Sequence, residues 1–263
     1  MSRIYLNSNR IEQLAHDLSA KEVSVLDALA QVRIASADQL ERWVFFTDSA
    51  RYRRQVLQSM TERGLLARLD RTVGGRRSGS STYIYVLSVG GLRILGSNSA
   101  GRVRQPTTPG PPFVRHALAV TELAVRLHEV QRQGLVEVLD FQAEPTCWRP
   151  FPGPGGGTEF CKPDGYARIG IGNYEDHWFL EVDLGTESAT ALERQLTRYR
   201  RLWASGTEQS RRGIFPRVLW LVPDQRRYQV LVDACGRQPA ESWQLHRVSL
   251  FENAIPLMTE GTS

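Results

Sequence analysis

Apolar residues recur at helical spacing in three successive stretches near the start of the chain. Over 21–33, Val23, Leu26, Leu29 and Ala30 fall on one helical face. A second helix is expected over 36–45, where Ser36 and Gln39 occupy capping-box positions. A third is expected over 48–64, with Asp48 as N-cap, Val56, Leu57 and Met60 turned inward, and Gly64 just past its end. Two strand-like runs follow, 65–72 and 82–88, joined by the tip "VGGRRSGSS".

Residues 98–112 lose all periodicity and are rich in Gly, Pro, Ser and Thr, which marks a linker. Helical period returns over 114–134, with Leu118, Val120, Leu123, Ala124 and Leu127 as its stripe. Strands are then expected over 136–145, 159–170 and 177–188, with "PFPGPGGG" (150–157) as a flexible loop between the first two. A helix over 190–205, a fully apolar strand over 216–224, a helix over 225–236 capped by Asp224 and a strand over 243–251 complete the pattern. The expected architecture is α+β: a winged helix-turn-helix over 1–97, and over 113–263 an α-β-β-β-α-β mixed-sheet domain with α-β appended.

Charge changes this picture more than composition does. Hydrophobic residues make up 41% and charged residues 23%, the balance of an ordinary globular protein. No stretch approaches the roughly 20 apolar residues of a membrane span, and the first residues lack the apolar centre of a signal peptide, so a cytoplasmic location is expected. Residues 1–104 hold 16 Lys/Arg against 9 Asp/Glu, whereas the rest hold 17 against 19. Arg51, Tyr52, Arg53 and Arg54 crowd the start of the third helix, and Arg76 and Arg77 sit on the tip. Cations on both elements point to double-stranded DNA as partner, with groove or phosphate contacts from the helix and phosphate contacts from the tip. Protein contacts through an arginine-rich face, or a dimeric transcriptional regulator, are the other readings of the same pattern. Cys147, Cys161 and Cys235 show no metal-ligand spacing and read as buried apolar residues; no His/Cys constellation suggests zinc.

The run "FLEVDLGTES" (179–188) places Glu181 and Asp183 two apart in an apolar strand, so both are expected on one face. Like charges in a half-buried place need a positive partner. An architectural answer would be a hydrogen bond from the following helix to Asp183 and an arginine, Arg168 or Arg198, beside Glu181. The segments "KPDGYARI", "FLEVDLGTES" and "ERQLTRYR" together resemble the PD-(D/E)xK nuclease fold. With a winged helix ahead of them, they resemble the replication-relaxation family of plasmids and other mobile elements, over roughly residues 20–225.

That resemblance implies a role in plasmid replication and DNA relaxation, with replication or relaxase proteins of the element as partners. It also implies that Asp164 and Glu181, with Asp183 beside them, bind Mg²⁺ or Mn²⁺, joined by Glu122 from the first helix and by Gln195 and Tyr199 from a later one. The third motif departs from the family of nucleases: Asp183 stands where they keep a lysine. Lys162, two residues before Asp164, is expected on the same strand face and is a candidate replacement. A metal-dependent endonuclease or nickase and a non-cleaving DNA-binding protein both follow from this pattern.

Overall fold

The computed structural model describes residues 7–69, 83–96 and 110–259. They divide into two compact units, Met1–Val125 and Arg126–Ser263. Among the described residues no helix is long and apolar enough to cross a membrane.

The first unit contains helices α1 (Ser8–His16), α2 (Ala20–Val32), α3 (Ala37–Trp43), α4 (Ala50–Glu62) and α5 (Val89–Ile94). Strands β1 (Ile34–Ser36), β2 (Leu66–Leu69) and β3 (Ile84–Leu87) form an antiparallel sheet in the order β1-β3-β2. The expected helices are present, and Ser36 and Gln39 cap α3 reciprocally, as their spacing predicts. The cap of α4 is Ser49 instead of Asp48, which pairs with Lys21 at 2.7 Å. Strand β1 has only three residues, too few to show a period, and exists because β3 pairs with it. Ile34, Leu69, Ile84 and Val86 pack with Val114 of α6 (Pro111–Arg132) on one side of this sheet. Helix α6 begins three residues before its expected start at 114, with proline in its first turn where the missing N–H costs nothing. The tip with Arg76 and Arg77, and residues 98–109 of the expected linker, lie outside the described residues.

In the second unit β4 (Glu137–Ala143), β7 (Gly165–Ile171) and β8 (Tyr174–Val182) pair antiparallel in succession, and β9 (Arg217–Val222) and β10 (His246–Leu250) extend the sheet parallel to β8. The order is β10-β9-β8-β7-β4, a mixed sheet as the pattern indicates. The strand expected over 159–170 is broken. Its first part is β6 (Thr158–Cys161), which pairs with β5 (Arg149–Pro152) in a separate hairpin, and its second part is β7. Pro163 lies in the break; it has no N–H to continue a ladder. The loop expected over 150–157 is therefore partly strand, closed by a short 3-10 turn at Pro154–Gly156. Helices α7 (Ala189–Ala204), α8 (Thr207–Arg212), α9 (Gln225–Gly236) and α10 (Ala254–Thr259) complete the unit. Asp224 caps α9, accepting from Arg227 N at 2.8 Å. Leu192, Leu196 and Tyr199 of α7 and Leu231 of α9 bury against Tyr166, Phe179 and Trp220 of the sheet.

Candidate functional site

The antiparallel register of β7 and β8 sets Gly165 opposite Leu180, which puts Asp164 beside the end of β8. Asp164 N donates to Leu180 O at 3.1 Å, and Val182 N donates to Asp164 Oδ2 at 2.7 Å. Next to it Glu181 is 2% exposed. Gln195 Nε2 donates to Glu181 Oε2 at 2.7 Å, and the Tyr199 hydroxyl donates to Oε1. Gln195 and Tyr199 stand one turn apart on α7, whose start is fixed by Ser188 as N-cap. Burial pushes the Glu181 carboxyl well above the usual carboxylate range, and the neighbouring Asp164 charge pushes it further; the bonds from Tyr199 and Gln195 pull it back in part. Burial and the Glu181 charge likewise raise the Tyr199 hydroxyl well above its usual value. The structure thus brings together three of the predicted site residues, Asp164, Glu181 and Gln195, with Tyr199.

Asp183 has a different environment. Strand β8 ends at Val182, so the alternation that would place Asp183 on the Glu181 face stops one residue too early. Asp183 Oδ1 accepts from Gly185 N at 2.7 Å, and Oδ2 accepts from Arg227 Nε at 2.5 Å. Arg227 also donates to Glu187 O at 2.9 Å. One guanidinium on α9 therefore ties down both ends of the turn that leads into α7, and Gly185 takes a left-handed φ of 82° within it. The positive charge that the paired carboxylates demanded serves Asp183 alone. Ser188, not Asp183, caps α7; Arg168 bonds Glu175 at 3.3 Å; and Glu181 is held by two neutral donors instead of an arginine. Only Arg227's place one turn into a helix opened by Asp224 hinted at it, and that spacing carries no functional signal.

Lys162 lies in the break between β6 and β7, not on a strand shared with Asp164. Its side chain is exposed, with Nζ 4.4 Å from the centre of the Trp148 ring. Glu122 belongs to the first unit, where it accepts from Gln39 Nε2 at 3.2 Å and from Arg42 at 2.7 Å. Among the described residues no three Asp, Glu, His or Cys side chains are grouped to hold a metal ion. Both oxygens of Glu181 and both of Asp183 are engaged by protein donors, as is Asp164 Oδ2. Asp183 is neutralised by Arg227 besides. This donor set does not fit Mg²⁺ or Mn²⁺, hard ions that draw on several free oxygen ligands. Cys147 and Cys161 are buried and their thiols are pushed up by burial, which leaves them unreactive.

In the first unit Arg51, Tyr52 and Arg54 are exposed on the opening turns of α4. Arg54 Nε donates to Ala50 O at 3.1 Å, and neither Arg51 nor Arg54 makes an ion pair among the described residues. Arg53 differs: its side chain is only 14% exposed and pairs with Glu41 of α3.

A family model described as replication-relaxation matches residues 26–218, well over half of the chain. No curated protein and no solved structure matches.

Proposed function

The chain belongs to the replication-relaxation family, and on that basis we propose that it is a DNA-binding protein of a plasmid or other mobile element, acting in replication or relaxation of that DNA. The first unit docks on duplex DNA. Its order α2-β1-α3-α4-β2-β3, with a β1-β3-β2 sheet, supports a winged helix-turn-helix in which α4 enters the major groove. The observation that carries the reading is the exposed pair Arg51 and Arg54 on the opening turns of α4, which make no ion pair among the described residues. A nuclease-like ancestry of the second unit is supported by its strand and helix order and by the Asp164–Glu181–Gln195 cluster. The engagement of Asp183 by Arg227 favours a domain that does not cut.

Fluorescence anisotropy of a labelled duplex over a salt series tests this. Arg51→Ala with Arg54→Ala should weaken binding and lower the slope of log K against log salt by about 2, roughly one released counterion per lost contact. Unchanged affinity and slope would remove α4 from the interface. Binding should be indifferent to chelator, and supercoiled plasmid should stay intact with Mn²⁺. Nicking that is lost in Glu181→Ala would replace this reading with a metal-dependent nickase.

A further inference from the structure

Several charged side chains of the second unit are matched. Arg168 pairs with Glu175, Arg201 with Glu159, Arg217 with Asp176, Arg227 with Asp183 and Arg237 with Glu193. Arg194 and Arg198 of α7 are not matched in this way. Both are exposed; Arg194 bonds only a backbone carbonyl of its own helix, Thr190 O at 3.2 Å, and neither forms an ion pair among the described residues. They are four apart on one helix face, a like-charge spacing that destabilises a helix and so has no structural return. The two flank Gln195, which holds Glu181. Helix α7 packs along β6, where Arg201 of α7 pairs with Glu159 at 2.7 Å, and exposed Lys162 follows β6 directly.

We infer that the α7 face of the second unit is a second DNA contact, in which Arg194 and Arg198, with Lys162 beside them, bind the sugar–phosphate backbone next to the Asp164–Glu181 pair. The inference rests on the reading that the chain binds DNA, and assigns that activity to a further surface. Three cations outside and two carboxylates inside would hold a phosphate at the rim and repel it from the interior, so the strand would be gripped without being drawn in. Guanidinium groups suit this role through paired N–H donors to phosphate oxygens.

The test uses the full chain, with a short duplex and its single strand as probes, and compares Arg194→Gln/Arg198→Gln with Arg51→Ala/Arg54→Ala and with all four changes together. Because both α7 guanidiniums are exposed, the melting temperature should not fall. The α7 variant should lower the salt slope by about 2 on duplex or about 1.4 on single strand, independently of the α4 variant, and Arg194→Lys/Arg198→Lys should restore most of it. A loss confined to the single strand would keep the inference and identify the strand it grips. An α7 variant with wild-type slope on both probes overturns the inference, as does failure of the lysine pair to restore it. A loss seen only with the α4 variant would leave the first-unit reading standing without the second contact, and a loss seen only with the α7 variant the reverse.

Discussion

On α4, Arg51 and Arg54 are exposed and make no ion pair among the described residues, whereas at the end of β8 Glu181 is 2% exposed and both its oxygens are bonded. The contrast separates charges that await a partner from charges that already have one. An exposed arginine keeps its hydration and costs the fold little, so an unpaired group of them is available for binding. A buried carboxylate has lost its water, and the protein must supply donors in its place. Both kinds occur in each unit: Arg53 is tied to Glu41 in the first, and Arg194 and Arg198 make no ion pair among the described residues of the second.

The largest effect on this contrast is expected from removing the Arg227 clamp. Asp183→Ala would leave Arg227 without its carboxylate in a largely buried place and should destabilise by about 3–5 kcal/mol in urea unfolding. Arg227→Ala should do similar harm, and the double variant should cost less than the sum. Independent additivity would mean that the two side chains do not form one device.

His246 tests how firmly the second unit's interior refuses charge. It is 6% exposed, Trp220 Nε1 donates to its Nδ1 at 3.1 Å, and burial lowers its pKa from 6.5 to about 4. Its folded value lies below the unfolded one, so the associated stability is present above pH 6.5 and is lost as pH falls towards 4. The loss should reach about 3 kcal/mol, at about 1.36 kcal/mol per pKa unit. Unfolding curves of wild type and His246→Gln between about pH 7 and pH 4 should diverge in slope; parallel curves would contradict it.

Glu181 shifts the other way. Its folded pKa is raised, so its contribution is most favourable below the usual glutamate range and is lost as pH rises through the folded value. Glu181→Gln should therefore raise the melting temperature by a few degrees at neutral pH, with the gain vanishing in acid. A lower melting temperature at neutral pH would show that the charged form is the stabilising one.

The smallest effect concerns the difference within α4. Arg53→Ala should cost under about 1 kcal/mol, as part-exposed ion pairs do, and should change the DNA salt slope less than loss of Arg51 and Arg54. A larger slope change would move Arg53 to the interface.

Much of this is legible in the residues alone. Helical stripes predict α2, α4 and α6, and cap spacing locates Ser36–Gln39 and Asp224. Asp164, Glu181 and Gln195 stand out because the resemblance names residue types at set distances along the chain. Lys162 and Glu122 satisfy the same criteria of type and distance, yet they meet other partners, Trp148 and Arg42. In each of those two cases local spacing was extended past an element's end or across a unit boundary, where it no longer describes the fold.

Helix and strand periods, caps and proline breaks act over a few neighbouring residues, and for that reason the longer helices and the central strands follow from the chain itself, whereas β1 and the β5–β6 hairpin depend on pairing. The uneven distribution of charge also follows from the chain itself. What each carboxylate does is a matter of tertiary structure. Glu181 and Asp183 are two residues apart, yet one meets α7 and the other meets Arg227, 44 residues further on. The end of β8 at Val182 and the packing of α7 and α9 on the sheet make that division. The partner of a buried charge is whatever the folded chain brings within hydrogen-bond reach, and that is set by long-range register and packing.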